Sequence, residues 1–139
     1  MSDSLAITSG KGGVGKTTIA VNLSIALKKL ASEIFLLDTD LGMANSHVLL
    51  GTNPGLSLSD VISGEKSITE VIIPCKSGIQ LISGGTASSN LLNVENKKRY
   101  SILNGIDNHL KDKKNVKLVV DIPAGAEDNA LVFAMACDR

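Results

Sequence analysis

Leu5-Ala6-Ile7-Thr8-Ser9-Gly10-Lys11-Gly12-Gly13-Val14-Gly15-Lys16-Thr17-Thr18 decides the fold of this chain. Its first four residues read as a short apolar strand, and Gly10 to Thr17 satisfy G-x-x-x-x-G-K-[ST]. From Lys16 to Ala31, Ile19, Leu23, Ala26, Leu27 and Leu30 fall at the spacing of one buried helical face. A strand that runs through such a loop into a helix is the context in which this pattern binds phosphate. Glycines lacking Cβ let the backbone curl, so successive N–H groups point inward at the positive end of the helix. Lys16 is then placed to neutralise the β and γ phosphates of a nucleoside triphosphate. The Thr17 hydroxyl suits Mg²⁺, a hard ion that takes oxygen ligands.

Outward from that loop, strand-like and helix-like segments alternate. Ile34 to Asp38 is a second strand, apolar until its carboxylate, Ile79 to Ser83 a third that ends in Gly84 and Gly85, and Val116 to Asp121 a fourth. The Gly-, Ser- and Asn-rich stretch from Gly51 to Gly64 predicts loops around one short helix near Ser59 to Ile62. Asn96 to Leu110 sets Ile102, Leu103, Ile106 and Leu110 on one side of a helix that starts with Lys97, Lys98 and Arg99, read as a solvated face. Ala126 to Ala136 is apolar enough to pack on a sheet as a further helix. This order predicts an α/β fold: a P-loop NTPase with a mainly parallel sheet, covered by helices on both faces and comprising about four strands. No repeat or linker divides residues 1–139, which read as the N-terminal part of one P-loop domain.

In parallel sheets ligands bind at the carboxyl ends of strands, so Asp38, Asp40 and Asp121 are expected to converge on the glycine loop. Asp121 can hold Mg²⁺ directly or through water, and either Asp38 or Asp40 can orient the water that attacks the γ-phosphate. Bulk composition excludes other classes. Lys+Arg and Asp+Glu are both 14, so no overall positive field draws nucleic acid or anionic membrane. Aromatic content of 2% leaves almost nothing for a base-stacking RNA surface. Cys75 and Cys137 lack C-x-x-C spacing, no secretory leader precedes Leu5, and the expected setting is a reducing cytoplasm. His47 and His109 have no metal-ligand companions in the sequence and read as packing or surface residues.

The string KGGVGKTT, from Lys11 to Thr18, resembles the deviant Walker A motif of the MinD/ParA ATPases. DTDLGMANSHVLLG, from Asp38 to Gly51, is similar to the switch I segment of that group, with most likeness to the FlhG/FleN flagellar-number regulators and to MinD. VVDIPAG, from Val119 to Gly125, is similar to their Walker B and switch II region. The resemblance implies a slow, Mg²⁺-dependent ATPase switch whose homodimer is held by ATP, engages a partner of the flagellar or cell-division machinery, and separates on hydrolysis to ADP. It implies that Lys11 acts in trans on the partner's nucleotide, that Lys16 is the phosphate lysine, and that Asp40 positions the attacking water. Thr17, Asp38 and Asp121 would form the metal shell. Gly10, Lys11, Gly12, Gly13, Val14, Gly15, Lys16, Thr17 and Thr18 would line the nucleotide. Against that family the chain is expected to be C-terminally truncated, without the adenine loop, the membrane-anchoring helix or the N-terminal extension of the flagellar regulators. Its first strand would then be an unprotected edge that favours self-association. Two other readings use the same residues: a non-catalytic nucleotide-binding fragment, and a biosynthetic ligase of the cobyrinate or dethiobiotin type.

Overall fold

A computed structural model describes residues 3–11, 15–40, 46–53, 55–85, 96–123 and 133–138. The elements run β1 (Ser4–Ile7), α1 (Lys16–Leu27), β2 (Glu33–Asp38), α2 (Ser46–Leu49), α3 (Leu58–Ile62), β3 (Ile72–Pro74), β4 (Ile79–Ile82), α4 (Asn96–Leu110) and β5 (Val116–Asp121). The strands form one sheet in the order β1-β5-β2-β4-β3. All pairings are parallel except β3 with β4. This is the α/β architecture, with a mainly parallel sheet, expected from the alternation of segments.

β2 shows why both faces are covered. Ile34 and Leu36 point into one apolar cluster with Ala20, Val21, Leu81 and Val119. Phe35 and Leu37 point into the other, with Leu58, Ile102, Ile106, Leu118, Val120 and Phe133. Period-2 alternation with both sets apolar gives the continuous hydrophobic run of a doubly covered strand. His109 serves the second cluster's rim, its ring edge-on to Phe35 at 5.7 Å between centroids.

Three expectations are corrected. The sheet has five strands: the fifth, β3, has three residues and ends on Pro74, and so short a segment has no alternation to read. Its place on the outer edge suits a proline, which has no N–H to give to a neighbour. α1 ends at Leu27 and buries the predicted face only in part, with Leu23 half-buried and Leu27 packed against the core. Ala20, Val21 and Ser24 are buried, whereas Ile19 is 56% and Leu30 71% exposed, and Ala26 is exposed as well. Small side chains let the helix backbone approach the sheet, and the Ser24 hydroxyl is satisfied by donating to the Ala20 carbonyl at 2.8 Å. Ser46 to Leu49, within the switch-like segment, form the short helix α2 ahead of Gly51. Finally, Arg99 is buried while Lys97 and Lys98 are exposed. Consecutive helical residues point about 100° apart, and Arg99 shares the i, i+3, i+4, i+7 stripe of Ile102, Leu103 and Ile106. Of the helix expected over Ala126 to Ala136, residues 126–132 lie outside the described residues, and Phe133 is buried in the core.

Candidate nucleotide site at the carboxyl ends of the sheet

β1 and β2 are consecutive in sequence but separated in the sheet by β5. Such a reversal of strand order opens a crevice outside the carboxyl ends of parallel strands. The register brings three ends level there: Ile7 opposite Asp121, and Asp121 opposite Asp38. The loop after β1 enters α1 through Gly15, whose φ of 83° is left-handed and open to glycine at no steric cost. The Ile19 N–H then donates to the Gly15 carbonyl at 3.0 Å, which starts the helix.

Lys16 and Thr17 therefore stand at the helix start, and both reach Asp121. The Lys16 ammonium is ion-paired with Asp121 Oδ1, and the Thr17 hydroxyl donates to Asp121 Oδ2 at 2.8 Å. Their side chains are well shielded, with Lys16 at 12% and Asp121 at 2% exposure. On the adjoining strand, Asp38 accepts the Asp40 N–H at Oδ1 and the Ser46 N–H at Oδ2, each at 3.1 Å. Burial pushes the Asp38 carboxyl above its ordinary value, and the negative charge of Asp121 adds to this, against the two N–H donors. The structure thus brings Lys16, Thr17, Asp38, Asp40 and Asp121 to one end of the sheet. Lys11 and Thr18 are exposed on the same loop and helix start, and the Lys11 carbonyl accepts the Ser9 hydroxyl at 2.9 Å. Gly12, Gly13, Val14 and Gly125 lie outside the described residues.

Sequence reading missed Thr39. Its N–H and its hydroxyl both donate to the Asp121 carbonyl, at 3.1 and 2.8 Å, tying the segment after β2 to the end of β5. The signal was its place between two aspartates, D-T-D, at a strand end. Chemically the donor set is one of hard oxygens: a threonine hydroxyl and two neighbouring carboxylates. One of these is held above its ordinary pKa partly by the other. A divalent hard cation relieves that repulsion, so the residues fit Mg²⁺.

A pH effect follows from Asp38. Its folded pKa is raised, so between the ordinary value of 3.8 and the raised one the folded chain holds more protons than the unfolded chain. Stability in metal-free buffer is expected to fall as pH climbs through that window. Urea midpoints at about pH 4 and about pH 7 should show a smaller drop for Asp38→Asn than for the wild type. An equal drop in both would remove Asp38 as its source.

The model of the CobQ/CobB/MinD/ParA nucleotide binding domain matches residues 5–128. The chain belongs to this family. It is 36% identical over 135 residues to the antiactivator FleN of Pseudomonas aeruginosa, covering 97% of this chain and 48% of that protein. It is 31% identical to the flagellum site-determining protein YlxH of Helicobacter pylori, covering 96% and 45%. Among solved structures, the septum site-determining protein MinD from Pyrococcus horikoshii OT3, complexed with Mg-ADP, superposes with a TM-score of 0.82 at 28% identity, over 99% of this chain and 56% of that one. The cell division ATPase MinD of Pyrococcus furiosus gives 0.81 at 30%, over 99% and 57%. The chain spans about half the length of the curated relatives it matches. Cobyrinic acid a,c-diamide synthase of Mycobacterium smegmatis, at 20% identity and a TM-score of 0.80, shares the fold. No helix among the described residues is long and apolar enough to cross a membrane.

Proposed function

We propose that this chain binds ATP with Mg²⁺ at the carboxyl ends of β1, β5 and β2 and works as a slow ATPase switch in the cytoplasm. One observation carries the reading: Lys16 and Thr17, at the first turn of α1, meet on the carboxylate of Asp121, with Asp38 level beside it. Phosphate oxygens arriving at that helix start meet its N–H groups, and the Lys16 ammonium can exchange the Asp121 carboxylate for them. Thr17, Asp121 and Asp38 would hold Mg²⁺, which supplies charge neutralisation for the β and γ phosphates. Asp40, on the segment that Thr39 ties to β5, would hold the attacking water. That water's oxygen would bond to the γ-phosphorus as the bond from the γ-phosphorus to the β–γ bridging oxygen breaks, with the electron pair leaving on ADP and a proton of the water passing to an oxygen of the released phosphate.

Lys11 would complete the site from a second copy, so that ATP stabilises a homodimer through contacts absent from the monomer. The likeness to an antiactivator FleN, to a flagellum site-determining YlxH and to septum site-determining MinD proteins supports a role in placing or counting flagella, or in positioning the division site. A protein partner fits this role, as in the MinC:MinD complex of Aquifex aeolicus. Phosphate release at saturating Mg-ATP tests the reading. Slow, concentration-dependent release is expected. Binding of ADP and ATP with no release above a Lys16→Ala control would reduce the chain to a nucleotide-binding module, and absence of binding would end the reading.

A further inference from the structure

The end of β4 runs against the segment that carries Asp38 and Asp40. Leu37 of β2 is level with Ile82 of β4, so Ser83 and Gly84 continue beside Asp38, Thr39 and Asp40. A Cβ built on Gly84 would sit 2.7 Å from the Asp38 carbonyl oxygen, 2.8 Å from the Asp40 carbonyl carbon, and closer still to the Asp40 carbonyl oxygen. Those atoms are backbone and cannot swing aside. The φ of Gly84 is not in the left-handed region, so lack of space, not backbone conformation, is what demands glycine here. From the other side Gly84 is held by α3: the Leu58 N–H donates to the Ser83 carbonyl at 2.8 Å and the Ser59 hydroxyl to the Gly84 carbonyl at 3.4 Å. The Gly85 N–H closes the turn on Ser83 Oγ at 3.3 Å.

The Asp38–Asp40 segment is thus gripped at two points. Thr39 fixes it to the Asp121 carbonyl on β5, and Gly84 sets how far it can lie from β4. We infer that Gly84 is a positioning residue for the Asp38–Asp40 segment: its missing side chain sets where these carboxylates stand relative to the Mg²⁺ and the γ-phosphate. This rests on the proposed ATPase reading. The atoms that crowd a Cβ at Gly84 belong to the Asp38 and Asp40 backbone, so its effect is expected on metal and water positioning.

Gly84→Ala tests it, with Ile106→Val, on the buried face of α4, as a control of lowered stability. Displacing reacting groups by about 1 Å costs on the order of 100-fold in rate, so Gly84→Ala is expected to lower kcat for phosphate release at least about 10-fold. KM for ATP and metal-free ADP affinity should stay within about threefold, because the backbone that a methyl group would displace is that of Asp38 and Asp40. Ser83→Ala deletes the bond to the Gly85 N–H without adding atoms and should lower kcat about threefold; it decides the matter if Gly84→Ala does not fold. The inference is overturned if kcat per folded molecule stays within about twofold of wild type, if metal-free affinity falls in step with kcat, or if Ile106→Val loses turnover as severely. Should the wild type bind ADP but release no phosphate, the ATPase reading fails by itself. The inference is then judged on whether Gly84→Ala loses the Mg²⁺ dependence of ADP affinity, which supports it, or keeps that dependence, which overturns it. A wild type that binds no ADP overturns both.

Discussion

Lys16→Ala is expected to weaken Mg-ADP and Mg-ATP binding by roughly 100-fold or more, because hydrogen bonds to charged groups contribute about 1.5–3 kcal/mol each and an ammonium can make more than one to phosphate. The same change strands Asp121, which is 2% exposed and would lose its ammonium partner. Breaking a buried ion pair by removing one member destabilises by about 3–5 kcal/mol, so weaker binding and weaker folding are expected together. The double variant Lys16→Ala with Asp121→Asn separates them: it should regain much of the stability and none of the affinity. Calorimetric titration with Mg-ADP, beside denaturant midpoints, reads both quantities. Affinity within a few-fold of wild type in Lys16→Ala would remove the phosphate role of this lysine.

Lys11→Ala should behave in the opposite way. Lys11 is exposed, and its structural contact among the described residues is a backbone one, with its carbonyl accepting the Ser9 hydroxyl. Trimming the side chain leaves that bond in place, so nucleotide affinity should change less than about threefold. The loss should fall on the ATP-dependent dimer. Two-fold symmetry places two copies of the contact in one interface, so at about 1.5–3 kcal/mol each the dimer constant should drop roughly 100-fold or more. Sedimentation of wild type and variant with ADP and with ATP would show it. A variant that still dimerises only with ATP would mean that the lysine does not act across two chains.

These two lysines lie five residues apart in one loop, yet they were legible in different ways. Lys16 was readable from spacing and context, since a G-K-T preceding a helix has a defined electrostatic task. Lys11 carried no task by spacing; its role came from the family likeness. Asp121 and Asp38 were legible because each ends an apolar run, and a carboxylate that closes a buried strand marks that strand's carboxyl end. Thr39 and Gly84 were not. What matters in Thr39 is a bond to a backbone carbonyl that lies 82 residues away, and in Gly84 a neighbouring backbone with no room for a methyl group.

The α1 face shows the same division. Hydrophobicity favoured Ile19 and Leu30 for the interior, while the structure buried Ala20, Val21 and Ser24. Periodicity reports which residues avoid water, and the helix chose the stripe that lets its axis lie close to β2 and β5.

From the sequence by itself come the glycine loop between strand and helix, the alternation that makes a doubly covered parallel sheet, and the acidic strand ends, because each is a local pattern with a local physical cause. Tertiary structure alone decided the insertion of β5 between β1 and β2, the meeting of Lys16 and Thr17 on Asp121, the burial of Arg99 and the wedge at Gly84. Those depend on which distant segments share a hydrogen-bonding edge or a packing volume, and linear order carries no measure of either.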